Sequence, residues 1–287
     1  MGAVYRKEMR SFLTSMPGYI FAAFILAVIG IYYSYLNLNL ASPKFENVLQ
    51  SIEFVFLVFV PILTMRVFAE EKRQKTDQLL LTLPLKAESI VLGKYLALVT
   101  IYAIPMGIVC FYPAVLQTYG TVNMKVAYLS ILAFFLLGCA NMAIGMYCSS
   151  LTESPVISAV ISFGVLLMLY LMNSIATMVS NTSRSSYIAF GVVLLLAAAL
   201  LYGLTRDIRI SAAAAVLSEG ILSVIYLVKP VLFEGAFQKV LGIFYMNGRL
   251  TSFFDGILDL TGIIYYLSII AVMVFLTVQT LVRRRWS

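Results

Sequence analysis

YLALVTIYAIPMGIVCFYPAVLQTYGTVNM, residues 95–124, contains no Asp, Glu, Lys or Arg. A helix needs about 20 mostly apolar residues to cross a bilayer. A charge at mid-membrane costs roughly 2.5–3.5 kcal/mol on insertion scales, so a gap of this length marks a span. Working outward, the same pattern recurs from Lys125 to Glu153, Glu153 to Arg184, Arg184 to Arg206 and Asp259 to Arg283. Composition agrees. The chain is 62% hydrophobic and 11% charged, with a mean hydropathy of +0.97. Soluble domains hold about 45–50% apolar and about 25% charged residues. A soluble fold of 287 residues lacks the interior to hide this much apolar surface, whereas a bilayer does not.

The net charge of +7 is spread over the ends of apolar segments rather than gathered on one face. That is the positive-inside pattern of membrane proteins, and it argues against nucleic acid as a partner. Cys110, Cys139 and Cys148 lie inside apolar runs without metal-ligand spacing, and the chain has no histidine. Neither a disulfide framework nor a metal site is expected. The apolar run from Tyr19 to Leu36 is too long for a signal-peptide core and reads as a retained first helix.

Spans are expected near 18–38, 53–70, 91–117, 125–150, 155–179, 186–205, 210–229 and 259–282. Arg6, Lys7, Arg10, Lys72, Arg73, Lys75, Lys86, Lys94, Arg206, Arg209 and Arg283–Arg285 then share one side. Lys44, Lys125, Arg184, Lys229, Lys239 and Arg249 share the other. The richer side is expected to be the cytoplasm, with both termini inside a bacterial-type plasma membrane. Segment 210–229 is the weakest span, because Glu219 sits near its middle. If it alone failed to cross, the terminal arginines would face outward. So 186–205 and 210–229 cross as a hairpin, or neither does. The expected fold is an all-α polytopic membrane protein of about eight transmembrane helices, six plus an extra hairpin, in one domain over 1–287.

Three segments do not span. Residues 4–17 place Tyr5, Met9, Phe12, Leu13 and Met16 at helical spacing, with Arg6, Lys7 and Arg10 on other faces. This is an interfacial helix with cations among lipid headgroups. Residues 70–90 combine a charged block with Leu79, Leu80, Leu81 and Leu83, and Pro84 stops any helix there. Residues 230–258 carry two short apolar stripes, Phe233 to Phe244 and Phe253 to Leu258, separated by the Asn247-Gly248 turn signal. They read as outer amphipathic helices before the last span.

The block RVFAEEKRQKTDQLLLTLPLKAESIVLGKYLA, Arg66 to Ala97, resembles the signature region of ABC-2-type permeases. It is similar in particular to the branch containing gliding-motility and copper-enzyme-maturation permeases. Its elements here are Glu70-Glu71, Lys75-Thr76, Leu79-Leu80, Leu83-Pro84 and Gly93-Lys94-Tyr95. The C-terminal run from Phe253 to Trp286 resembles the same branch. The resemblance implies the membrane subunit of an ATP-driven ABC exporter, not itself an enzyme. It implies a cytosolic coupling helix between spans two and three that docks on a separate ABC ATPase, and re-entrant helices outside before the last span. Leu79, Leu80 and Leu83 would form the apolar anchor, bounded by Pro84. Glu70, Glu71, Lys72, Arg73, Thr76 and Asp77 would form the polar rim. From the residues alone, leucines packed on the chain's own spans remain the alternative. The resemblance also implies a second permease copy or paralogue, and leaves room for an accessory membrane protein.

Gly93-Lys94 is followed by Tyr95 and position 88 is Glu, so the phosphate-binding loop pattern is absent. ATP and magnesium are expected on the partner chain, with no cofactor here. Glu219 is the one acid expected deep in a span. It either lines a cavity or pairs with Arg206 or Arg209. Asp259 is expected to cap the last helix rather than to form a carboxylate pair with Asp255. Gly138, Ala140, Gly145, Ser149, Ser158, Ser162 and Gly164 either permit close helix packing or line a conduit. A secondary transporter or a polytopic membrane enzyme, each without an ATPase partner, are the rival readings.

Overall fold

The computed structural model describes residues 1–14, 16–76, 86–205 and 208–286. Helix α1 (Gly2–Thr14) precedes α2 (Met16–Tyr33), which runs into a π-helical turn at Ser34–Asn39. Then come α3 (Glu46–Ser51), α4 (Phe56–Thr64) and the short α5 (Ala69–Arg73). Helices α6 (Ala87–Val109), α7 (Tyr112–Gln117), α8 (Met124–Leu151) and α9 (Pro155–Met178) follow. Next are α10 (Ser183–Thr205), α11 (Ile208–Val228), α12 (Ala236–Phe244), α13 (Leu250–Phe254) and α14 (Leu260–Trp286). Seven helical stretches among the described residues are long and apolar enough to cross a membrane. An eighth is present if Ala215–Val228 and Pro230–Phe244, which meet at a 115° bend, form one broken span. The protein is thus an all-α polytopic membrane protein. The chain divides into two compact units, residues 1–168 with 249–287 and residues 169–248.

The first unit is organised on α8, where 78% of the most apolar window is buried. Lipid tails are as apolar as leucine, so helices in a bilayer associate through close packing and hydrogen bonds rather than through hydrophobic burial. The glycines of α8 serve that packing. A methyl group on Gly138 would lie 2.6 Å from the ring of Tyr102, and one on Gly145 would collide with the Thr64 side chain. Tyr102, on α6, is almost wholly buried and donates to the Phe134 carbonyl at 3.1 Å. Phe135 stacks on its ring at 5.3 Å, while Phe21 and Phe56 meet it edge-on. Tyr95 likewise donates to the Cys139 carbonyl at 3.1 Å. Gly138 and Gly145 therefore do the packing job, of the two that the sequence left open. Gly164, on α9, has open space around it.

Ends of elements follow the usual chemistry. The Asp259 carboxylate accepts the Thr261 amide at 2.9 Å, capping α14 as its position suggests. Asn123 receives the Val126 amide at the start of α8.

Residues 169–248 hold an antiparallel pair, α10 and α11. Tyr187 and Ser223 share a hydrogen bond of 2.9 Å, and the rings of Tyr187 and Tyr226 stack at 4.7 Å. One turn further in, the Glu219 carboxylate lies over Gly191, where an added methyl would come within 3.3 Å of it. A 3-10 turn at Pro230–Phe233 leads to Gly235, at φ +65, a conformation that glycine adopts without steric cost, and then to α12. Phe233 and Phe237 turn inward against Phe190, which accounts for their helical spacing.

Candidate functional site

The site builds from one difficulty. Helix α4 stops at Thr64 and α5 starts at Ala69, so backbone groups at the break lose their helical partners. Buried inside a membrane protein, such groups need substitutes. Ser149 of α8 supplies them. Its hydroxyl accepts the amides of Phe68 and Ala69, both at 3.2 Å, and donates to the Met65 carbonyl at 3.1 Å. Just beyond, the Lys72 amine donates to the Ser150 carbonyl. The segment entering the 70–90 region is therefore held to the end of α8 through main chain, side chain and charge.

A second attachment is ionic. Lys94 sits two turns into α6 with no solvent exposure. Its ammonium has three protons and meets three oxygens: Glu71 Oε2 at 2.9 Å, Glu8 Oε1 at 3.0 Å and the Val67 carbonyl at 2.8 Å. The Phe68 ring lies 5.1 Å from the same nitrogen. Lys7 completes the group, 2.8 Å from Glu71 Oε1 and 3.8 Å from Glu8. Two lysines and two glutamates thus balance. Burying a lone cation costs several kcal/mol, so Lys94 is tolerable only because both carboxylates reach it. Burial alone would lower the pKa of the Lys7 amine. The hydrogen bond and charge of Glu71, with the charge of Glu8, outweigh that and hold it above its usual value.

The ion cluster joins three elements distant in sequence. Glu8 belongs to α1, Glu71 to α5 and Lys94 to α6. Helix α1 reaches it by packing along α6, with Val4 and Glu8 buried. Gly93 makes room for this, since a methyl there would lie 3.1 Å from the Val4 side chain. Tyr5 and Thr100 add a hydrogen bond of 3.2 Å. At the same end of this unit, Arg284 of α14 pairs with Glu153 at 2.8 Å.

The residues expected on the coupling rim divide sharply. Glu70 faces outward with Arg73 and Gln74, at 3.0 and 2.8 Å. Thr76 donates to the Glu71 carbonyl at 3.3 Å. Glu71 and Lys72, however, turn inward and are engaged by Lys94, Lys7 and Ser150. Their chemistry is that of internal fasteners rather than of a partner-facing rim. Asp77, Leu79, Leu80, Leu83 and Pro84 lie outside the described residues. Glu219 stands mid-helix in α11, and its Oε1 is buried without a hydrogen-bond partner among the described residues.

Reading the sequence missed Glu8 as a site residue and gave Lys94 no role beyond its motif and its side. Two signals were present. Glu8 is the sole acid before Glu46, in an otherwise basic helix, and it shares the helical face of Val4. Lys94 lies two turns inside an apolar helix, where a cation requires a counterion. No group of three or more His, Cys, Asp or Glu side chains that could hold a metal occurs among the described residues.

Comparison with curated proteins finds no match. Comparison with protein families matches residues 9–205 to the family described as ABC-2 family transporter protein. The match takes in the α4–α5 break, Glu71, Lys94 and Ser149, and begins one residue after Glu8. The chain belongs to the ABC-2 transporter family, as a multi-pass membrane permease.

Proposed function

We propose that the chain is the transmembrane subunit of an ATP-driven exporter, with residues 70–90 as the docking segment for a cytosolic ABC ATPase. Two permeases, identical or paralogous, would pair with two ATPases. Both termini would lie in the cytoplasm, and ATP with magnesium would be bound by the ATPase alone. The gliding-motility and copper-enzyme-maturation branch remains the assignment we favour within the family. The observation carrying this reading is the junction at 64–76. A push on residues 70–76 would reach α8 through Ser149 and Ser150, and α1 and α6 through the Lys94 cluster. A solvated loop would need none of these attachments.

The test is co-purification. The tagged chain, extracted in mild detergent, should bring down an ABC ATPase. Leu79→Asp with Leu80→Asp should abolish that recovery while leaving the fold intact. Recovery of no ATPase, or recovery indifferent to the two changes, would sink the coupling assignment.

A second reading has one observation in its favour. Glu219, an intramembrane acid with an unpartnered oxygen, suits an ion-coupled secondary transporter. Transport driven by a proton gradient in vesicles without ATP, and lost in Glu219→Gln, would favour it over the first.

A further inference from the structure

Helix α1 presents three faces. Val4 and Glu8 face α6, and the apolar residues around Met9 and Leu13 occupy another sector. Arg6, Lys7, Arg10, Ser11 and Thr14 line an open groove on the remaining face. Arg6 and Arg10 stand one turn apart, so their guanidinium groups approach a common point. Neither makes an ion pair among the described residues, although acids lie close by on the other side of the same helix. The Thr14 hydroxyl, bonded to the Arg10 carbonyl at 2.6 Å, retains its acceptor capacity, and Ser11 adds another hydroxyl. Two free planar cations beside a lysine and a serine hydroxyl suit a phosphate, which arginine grips through paired donors.

The chain fixes where this groove lies. Helix α1 ends at Thr14, and the first span is helical from Met16. The groove therefore cannot be far from the plane at which that span leaves the bilayer, which is the headgroup layer. We propose that it binds the phosphate of an anionic phospholipid headgroup, and that this phosphate draws Lys7 away from Glu71. Lys7 is placed for both roles, since its side chain is 57% exposed on the groove while its amine reaches Glu71 at 2.8 Å. Lys94, without exposure, cannot be recruited in this way and keeps Glu71 paired. The lipid would thus loosen one of the two cationic holds on the coupling segment without dismantling the cluster. The regulatory consequence rests on the coupling assignment above; the binding site does not.

The test uses the full chain in nanodiscs of equimolar phosphatidylcholine and phosphatidylglycerol. After extraction and washing in detergent, the lipids retained are quantified by mass spectrometry. The wild type should retain phosphatidylglycerol in excess. Arg6→Gln with Arg10→Gln should cut that excess roughly tenfold or more, from the usual worth of a surface cation near an anionic leaflet. Lys125→Gln, elsewhere on the chain, should not change it. Equal retention in the double variant would overturn the site. Displacement of the lipid by inorganic phosphate at matched concentration would overturn the lipid as its occupant. For Lys7, amide exchange over residues 65–76 is compared in nanodiscs with and without phosphatidylglycerol. The anionic lipid should speed exchange in the wild type and leave Lys7→Gln unchanged. No effect in the wild type would overturn the competition. None of these measurements requires an ATPase, so their failure is distinct from failure of the co-purification.

Discussion

Lys94 and Glu219 pose the same problem in two regions, and the protein answers it differently. Each is an ionisable group set within apolar helices. Around Lys94 the first unit assembles two carboxylates and a carbonyl, one acceptor for each proton. Around Glu219 the α10–α11 hairpin offers Gly191, a surface with no side chain, and leaves Oε1 without a donor among the described residues. The difference teaches what each charge is for. A fully satisfied buried ion fixes one arrangement of its helices, because any displacement breaks several contacts at once. An acid with an open oxygen adds no such restraint, and under the second reading proposed above it is the group that would take up a proton.

The largest expected effect breaks the first half of that contrast. Lys94→Met removes the buried cation and leaves Glu8 and Glu71 with the half-exposed Lys7 alone to balance them. Removing one partner of a buried ion group costs about 3–5 kcal/mol, read as a lowered thermal unfolding midpoint in detergent. Adding Glu8→Gln and Glu71→Gln to Lys94→Met should recover most of the loss. Failure to recover would mean that the cluster does not act as a unit. Next comes Ser149→Ala, which strips partners from two amides and a carbonyl at the α4–α5 break. The cost is about 1–3 kcal/mol per buried group left bare, with hydrogen exchange accelerated over 65–72. Gly138→Ala should cost about 1–3 kcal/mol through overpacking against Tyr102, while Gly164→Ala should change nothing measurable. Lys7→Gln removes a pair screened by solvent and should cost only about 0.2–1 kcal/mol.

The smallest effect on stability sharpens the second half. Glu219→Gln alters a side chain whose buried Oε1 has no hydrogen-bond partner among the described residues, so the unfolding midpoint should hold or rise. If it falls as far as that of Lys94→Met, Glu219 is structural and the contrast collapses. If stability holds and transport stops, the open oxygen is functional.

The parts legible in the sequence are those governed by local rules. Charge-free gaps mark spans because membrane insertion acts on segments of about 20 residues. The Asp259 cap and the short helices before α14 follow from residues adjacent in the chain. The weak standing of 210–229 was legible too, since that segment counts as a span only together with Pro230–Phe244, although the 115° bend falls at the end of its helix rather than at Glu219. The junction was legible only in its pieces. Glu71 and Lys72 look like any charged rim until helices far away in sequence turn them inward. Lys94 finds Glu8 across 86 positions, and Ser149 reaches Phe68 across 81. No periodicity carries information over such distances. Glycine spacing could announce close packing, but only the fold names Tyr102 and Thr64 as what Gly138 and Gly145 make room for.

The order of the ion cluster along the chain has a consequence for biosynthesis. Both carboxylates precede the lysine they neutralise: Glu8 first, Glu71 second, Lys94 last. A ribosome feeding this protein into a membrane has therefore delivered both counterions before the cation leaves the exit tunnel. Helix α6 can then seat Lys94 against counterions that already exist. A chain begun after Glu8 would meet that step with one counterion missing. The defect would then appear as the third span lingering outside the bilayer during synthesis, and as degradation, before any mature protein existed to be assayed.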